Sequence, residues 1–462
     1  MNNHIFSSAA DVFTWLSQFE NLEQGQISKT FNLDQMEILV RVAGHPETCA
    51  PVIHIAGSKG KGSVTGMITA ILEAEGLKTA RYTSPHVTEE RERITQGNNF
   101  FDESIYCGSG SELVSIVEAY REAKQRADAP AGDNQEPTFF ELLTLYFFLC
   151  ARTARCDVMV VETGMGGRLD ATNMVDPLVS VITVIELEHT DVLGSTIEAI
   201  AREKAGIIKN RRPLILGEQS PEALGVFQKA VVAKQAPLYY FPDVADIQNL
   251  RLSREGTTFT LHSKPPLSLP SPLELAIHIP GEIQAKNASM AVIAAKIAFP
   301  GLHEQSIHTG LKDFTLPARF ERIGEDPIIV IDGAHTPRSV AASIETFTGL
   351  YGKGGILIFG CVAGKAAETM AQILIPVFAH IIITTPGTYK VSFPEKVYET
   401  FQTIAAHQAG KAKGGPSLCF IKETDKAIEE AIALGRKQGL PILGTGSFYL
   451  AAEIRAYHGS IV

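Results

Sequence analysis

Short apolar runs of strand length alternate with segments of helical period along most of this chain, and that alternation restricts the fold more than any other feature. Residues 51–56, 156–161 and 178–185 are almost continuously apolar rather than alternating with polar side chains. A strand buried on both faces needs this composition, as in a parallel sheet flanked by helices. Helical segments fall between the runs. Over 64–75, Met67, Ile68, Ile71 and Leu72 share one face and Gly76 supplies a stop signal. A second helix is expected over 195–208, where Ser195 and Glu198 have capping-box spacing.

From about residue 327 the rhythm restarts, with strands expected at 328–331, 356–359, 380–384, 417–421 and 441–443 and helices at 367–374 and 424–438. Residues 238–280 are richer in Pro and polar side chains and lack a helical period, as irregular β structure would. A helical pair around 287–298 and 304–314 then leads to Leu316-Pro317. The expectation is an α/β chain of two domains, 1–315 with a mostly parallel sheet and 316–462 as a smaller Rossmann-like unit. A length of 462 residues, 45% of them hydrophobic, supports more than one core.

The net charge of −10 argues against broad nucleic-acid binding, which needs a basic surface to displace counterions. No apolar run approaches the roughly 20 residues that span a bilayer, and Asp11 interrupts the only apolar stretch near the start. The six cysteines, Cys49, Cys107, Cys150, Cys156, Cys361 and Cys419, form no C-x-x-C pair and sit among apolar neighbours, as reduced packing thiols do. A cytoplasmic protein without membrane or nucleic-acid partners is expected.

The run Gly57-Ser58-Lys59-Gly60-Lys61-Gly62-Ser63 lies between an expected strand and an expected helix. Glycines there let backbone amides close around phosphate oxygens, and the helix start adds partial positive charge. Lys61 can reach outer phosphates and Ser63 can offer a hydroxyl to Mg²⁺. Gly62 breaks the common Walker spacing, so the run alone also fits an ordinary glycine-rich turn. Glu162 ends the apolar run before Thr163-Gly164-Met165-Gly166-Gly167-Arg168-Leu169-Asp170, placing a carboxylate where open α/β sheets bind ligands. His189 follows the next strand and would share that edge, or serve as a surface histidine.

Together these segments resemble the folylpolyglutamate synthase and dihydrofolate synthase family of Mur-type ATP-dependent ligases. The resemblance rests on the 54–63 run, Tyr82-Thr-Ser84-Pro-His86 with Glu92-Arg93-Ile94, Thr138-Phe-Phe-Glu141, and 162–173. It continues through His189-Thr-Asp-Val-Leu-Gly194, Arg202-Glu-Lys204-Ala-Gly206, Asn287-Ala288, Leu316-Pro-Ala-Arg319-Phe320, Asp332-Gly-Ala-His335 and Gly446-Ser447. It implies a P-loop-containing first domain in which Gly57, Gly60, Lys61, Gly62 and Ser63 hold the triphosphate of ATP, with Asn287, Arg319 and Asp332 as further nucleotide contacts. Ser84, Glu162 and His189 would coordinate Mg²⁺, and Lys204 would become a carboxylysine that binds a second Mg²⁺. His335 would lie near the transferred phosphoryl group, and Lys61, Lys204 and His335 would be the catalytic set.

The implied reaction phosphorylates a pteroate or folate carboxylate with ATP, after which the amine of L-glutamate displaces phosphate in what is expected to be a monomer. Without the resemblance, Lys204 would read as a solvated helix lysine. Three positions depart from the family pattern: Lys59 replaces a usual Asn, Thr336 another Asn, and the loop Gly360-Cys-Val-Ala-Gly364-Lys365-Ala366 lacks the Asp residues that flank its lysine. That loop keeps two alternatives open, a Mur-type amide ligase acting on a different acid and amine, or an ATP-binding protein without ligase activity. Lys59, Lys61, Arg81, Arg91, Arg93, Arg168 and Arg319 surround the cleft motifs, and their convergence would focus positive charge on anionic substrates.

Overall fold

The computed structural model describes residues 6–21, 32–126, 136–270, 272–387, 390–409 and 415–461. Its contacts divide the chain into two units. One comprises Met1–Asn249, Phe259–Ala276 and Lys286–Phe314, the other Leu250–Thr258, Ile277–Ala285 and Thr315–Val462.

The first unit is built on eight strands: β1 (Val52–Ala56), β2 (Thr79–Tyr82), β3 (Ile94–Gln96), β4 (Asn99–Phe100), β5 (Val158–Glu162), β6 (Val179–Ile182), β7 (Leu214–Leu216) and β8 (Leu238–Tyr240). They lie in the order β4-β3-β2-β5-β1-β6-β7-β8. The six from β2 to β8 in that order pair in parallel, and β3 and β4 add an antiparallel edge. β1, β5 and β6 are buried at every position, as their unbroken apolar composition requires. On one face the helix Phe139–Ala154 presents Phe147 to Tyr82, ring centroids 5.0 Å apart. Between β1 and β2 the helix Lys61–Ala74 buries Met67, Ile68, Ile71 and Leu72, the face read from the sequence, but it is buried at every position from Ser63 to Leu72, so packing surrounds it instead of meeting one face.

One capping detail differs from the sequence reading and another adds to it. The helix expected over 195–208 spans Ile197–Ala205, and its cap is Thr196, whose hydroxyl accepts from the Ala199 amide at 3.2 Å. Thr196 has the extended backbone that a cap needs, so the capping role falls to it in place of Ser195. The Thr138–Glu141 motif is itself a capping box. Glu141 accepts from the Thr138 amide at 2.8 Å, and Thr138 accepts from the Glu141 amide at 3.3 Å.

A three-stranded sheet follows, β9 (Ala245–Ser253), β10 (Gly256–Ser263) and β11 (Leu273–Ile277), in the order β11-β10-β9. It accounts for the segment without helical period.

The second unit carries β12 (Glu321–Glu325), β13 (Ile328–Ile331), β14 (Ile356–Phe359), β15 (His380–Ile383), β16 (Ser417–Phe420) and β17 (Ile442–Thr445). Their order is β12-β13-β17-β14-β15-β16, parallel except for β12. Thr336 caps the helix Pro337–Tyr351, its hydroxyl accepting from Ser339, so the departure at this position preserves a helix start. All six cysteines are free thiols. Among the described residues no helix is long and apolar enough to cross a membrane.

Candidate active site

β2, β5, β1 and β6 are consecutive neighbours in the first sheet. Ser84 follows the first of them, Glu162 ends the second, the phosphate loop follows the third, and Glu188 and His189 follow the fourth. The carboxyl ends of four parallel strands therefore deliver the sequence-expected first-domain residues to one edge.

The loop is held by its neighbours. Ser58 donates through its amide to the Val184 carbonyl at 2.9 Å and through its hydroxyl to the Glu186 carbonyl at 3.0 Å. A Cβ on Gly57 would lie 1.7 Å from the Thr183 hydroxyl, so only glycine lets the loop approach β6 this closely. Asn287, on the helix Glu282–Ala298, reaches the loop as well, with Oδ1 2.7 Å from where a Gly60 Cβ would stand.

Two ammonium groups meet at one carbonyl. Lys61 donates to the Gly57 oxygen at 3.0 Å, and Lys204, from the helix Ile197–Ala205, donates to the same oxygen at 2.9 Å. Lys204 is only 1% exposed and pairs with Glu188 at 2.8 Å. Burial pulls the Lys204 ammonium down to about 8 against the attraction of Glu188, with Lys61 adding repulsion. Burial works the other way on Glu188, yet the Lys204 and Lys61 charges hold its carboxyl down at about 2. Sequence reading gave Glu188 no role, because nothing in its local run shows that a lysine on the following helix turns back to meet it.

The polar side chains at the end of the run 162–173 hold its backbone in shape. Asp170 accepts from the Met165 amide at 2.8 Å, the Thr172 amide at 3.1 Å and the Thr172 hydroxyl at 2.5 Å. Buried His54 bonds that hydroxyl through Nε2 at 2.9 Å, and burial lowers its imidazole to about 3, so it is neutral. The Asn173 amide donates to the carbonyls of Arg168 and Gly206 at 3.0 and 3.2 Å.

The expected convergence of cations is narrower than the sequence suggested. Arg91 pairs with Glu89 and Glu103, Arg168 pairs with Glu203, and Arg93 is buried with its Nε 3.0 Å from His86 Nδ1. Arg81 donates to Thr95 and Asn98. Arg91, Arg93 and Arg168 fix local structure, whereas the Arg81 charge also acts on Glu162, and Lys61 and Lys204 meet at the Gly57 carbonyl.

Hard oxygen donors at this edge suit a small divalent cation. Glu162 is 3% exposed, and its Oε2 lies 3.5 Å from where a Cβ on Gly62 would stand, alongside the first turn of the loop's helix. Ser63 is buried in that turn. Among the described residues no three His, Cys, Asp or Glu side chains gather as a metal cage. A cation held by one carboxylate, hydroxyls and phosphate oxygens is what Mg²⁺ ordinarily uses, and this donor set fits it.

In the second unit, Asp332 follows β13 and accepts from the Phe320 amide at 2.8 Å and the Ala334 amide at 2.7 Å. Burial raises its carboxyl, opposed by the charge of Arg319. His335 Nδ1 lies 2.8 Å from the Gly333 carbonyl oxygen.

Residues 55–295 match the Mur ligase middle domain, and 318–448 match the Mur ligase, glutamate ligase domain. Folylpolyglutamate synthase of Lacticaseibacillus casei is 32% identical over 438 residues, covering 93% of this chain and 95% of that protein. Dihydrofolate synthase/folylpolyglutamate synthase of Bacillus subtilis is 29% identical over 429 residues, covering 92% and 94%. The Mycobacterium tuberculosis folylpolyglutamate synthase complexed with ADP and AMPPCP superposes with a TM-score of 0.83 at 27% identity, covering 98% of both chains. With both Mur ligase domains matched and similarity running nearly end to end, the chain belongs to the folylpolyglutamate synthase/dihydrofolate synthase family of Mur ligases.

Proposed function

We propose that this chain is an ATP-dependent ligase that joins L-glutamate to a pteroate or folate carboxylate through an acyl phosphate, releasing ADP and phosphate. The observation that carries this reading is the meeting of the phosphate loop, Lys61 and the Lys204–Glu188 pair at a sheet edge that also holds Glu162. A carboxylate resists attack by an amine because its leaving group would be oxide. Phosphorylation supplies a better one, but it requires two anions to approach each other. The amides of the loop and the Lys61 ammonium, released from the Gly57 carbonyl, lower that repulsion by holding the outer phosphates. Gly60, Gly62, Ser63 and Asn287 complete the cradle.

Glu162, Ser84 and His189 are the residues that would hold one Mg²⁺, and Lys204 once carboxylated would hold a second. Bound there, these ions would neutralise phosphate charge. The lowered basicity of Lys204 favours the neutral amine that adds to CO₂, with the displaced proton leaving to solvent, and the product is an anionic carbamate. From the second unit, the family pattern assigns Arg319 and Asp332 to the nucleotide and His335 to the phosphoryl group in transfer.

The test is ADP release by purified protein with ATP, L-glutamate and either dihydropteroate or tetrahydrofolate. ADP formed only when both glutamate and a pteridine acid are present supports the reading. No ADP above background with either acid refutes it. Intact-protein mass after gentle purification should show one added CO₂ that is lost in Lys204→Ala.

A further inference from the structure

Three turns of the second unit are stitched together at the carboxyl ends of β13 and β17. The Gly333 amide donates to the Ala318 carbonyl at 2.9 Å, and the Gly446 amide donates to the Ala334 carbonyl at 2.9 Å. The Asp332 amide donates to the Gly444 carbonyl, also at 2.9 Å. Phe448, two residues beyond Gly446, opens the helix Phe448–Ile461, and the Ser447 hydroxyl accepts from the Tyr449 amide at the helix start.

The Phe448 ring, at the end of one of these turns, meets the other two. The Arg319 guanidinium carbon lies 4.0 Å from its centroid. The His335 ring is 5.7 Å away, centroid to centroid, at 54°. A Cβ on Gly333 would fall 2.3 Å from the ring edge, so the glycine of Asp332-Gly-Ala-His335 is required by the ring that fills its place.

We propose that Phe448 is a positioning residue for the ligase reaction, its ring forming a platform that holds the Arg319 guanidinium and the His335 imidazole in one orientation for their roles toward the nucleotide. The proposal rests on the assignment of Arg319 to the nucleotide. A guanidinium against a π face is electrostatically favoured and loses rotamer freedom before the ligand arrives, so less is lost on binding. Cation–π attraction of the usual size corresponds to a change in nucleotide affinity of roughly 2- to 30-fold.

The experiment measures ADP affinity by calorimetry, KM for ATP, kcat and thermal unfolding on the full chain. Phe448→Leu keeps apolar bulk and removes the π face. It should weaken ADP binding and raise KM for ATP within that range, with a smaller change in kcat and the same cooperative unfolding. Phe448→Tyr, which keeps the face, should restore affinity. In an Arg319→Ala background, Phe448→Leu should cost nothing further. A series of mono-, di- and trifluorinated phenylalanines at this position holds the shape while draining π density, which covers the case in which the leucine variant misfolds. ADP affinity should then fall stepwise with fluorination.

Unchanged ADP affinity in Phe448→Leu or across the fluorinated series, while Arg319→Ala binds weakly, overturns the platform and leaves the nucleotide assignment standing. Additive losses in the double variant overturn it too. Wild-type affinity in Arg319→Ala overturns the nucleotide assignment and the platform with it.

Discussion

Gly60 and Gly76 form a matched pair that isolates what the phosphate loop needs from glycine. Both bracket the helix Lys61–Ala74 and have nearly equal positive φ, 91° and 90°. An L side chain in that region costs about 1–2 kcal/mol from its own backbone. The surroundings differ. A Cβ on Gly76 meets nothing within 4 Å, whereas one on Gly60 falls 2.7 Å from Asn287 Oδ1 and 3.3 Å from its Cγ and Nδ2. Asn287 is 4% exposed, so it yields only by leaving its rotamer, which adds about 0.5–1.5 kcal/mol. Gly76→Ala should therefore cost about 1–2 kcal/mol and leave nucleotide binding within about twofold of wild type, since no binding group moves. Gly60→Ala should cost about 1.5–3.5 kcal/mol and weaken ADP binding by about tenfold or more, the equivalent of one hydrogen bond to a charged group. Trp15 is the only tryptophan and packs in the first unit against Phe19, so urea unfolding followed by its fluorescence reports the relevant stability. Calorimetry gives the ADP affinity. Equal stability losses in the two variants, with equal ADP binding, would refute both the displacement of Asn287 and its place beside the nucleotide.

Lys61→Ala should lower ADP-forming turnover by a factor on the order of 100–1,000 through loss of positioned charge, with urea stability within about 1 kcal/mol of wild type; near-normal turnover would remove Lys61 from the phosphate site. In CO₂-free buffer, where Lys204 carries no carbamate, Glu188→Gln leaves its buried ammonium without a carboxylate and should cost up to about 3–5 kcal/mol near neutral pH. Lys204 is held at about 8, below its unfolded value of 10.5, so the folded form binds fewer protons between those limits and stability rises with pH across them. Removing Glu188 extends that window downward, so the deficit of the variant should shrink as pH rises from 7 to 9; a deficit that does not change with pH contradicts the pairing. His54 is held at about 3 against 6.5 when unfolded, so its contribution is complete above pH 6.5 and falls away toward pH 3, by about 5 kcal/mol at 1.36 kcal/mol per pH unit. His54→Gln, which can still donate to Thr172, should flatten that part of the acid-unfolding curve, and equal acid sensitivity in both proteins counts against a neutral buried imidazole.

The strands and the phosphate loop were legible because their signals are local. An unbroken apolar run becomes a parallel strand, as at 328–331 and 356–359, where the expected bounds are those observed. A strand, a glycine turn and a helical period fix where the loop sits, and strand ends told which residues share its edge. Other relationships could not be read because they join distant positions through space. Glu188 and Lys204 are partners only because a helix folds back over the strand end, and Phe448 meets Arg319 across more than a hundred residues. The long helices Glu103–Arg126 and Phe139–Ala154 also escaped the sequence reading. The second is buried at twelve of its sixteen positions, so it lacks the polar face that marks a helix by periodicity. The charge argument held for Lys61 and Arg81 but not for every arginine it named. An arginine near a motif in sequence can serve the motif's own folding, as Arg168 does with Glu203.

The run Gly166 to Asn173 is the most specific piece of the family resemblance, yet its side chains are occupied mainly with shape. Arg168 donates through its amide to the Glu203 carbonyl at 2.7 Å, and Asn173 spans the carbonyls of Arg168 and Gly206. A Cβ on Gly206 would strike the Arg168 backbone at 2.3 Å, and one on Gly167 would crowd the Lys204 Cα at 3.1 Å. Asp170 holds the turn from within and ties it through Thr172 to His54 on the strand that leads into the phosphate loop. These contacts lock the helix Ile197–Ala205 against the loop that follows β5. That lock brings the Lys204 nitrogen within 2.9 Å of the Gly57 carbonyl, across 147 positions of sequence. A close approach of backbone to backbone tolerates fewer substitutions than a solvated side-chain contact, because no rotamer can relieve it. Specificity of sequence therefore concentrates where two elements must touch, and the chemistry next to it is carried by a few common residues whose positions that contact sets.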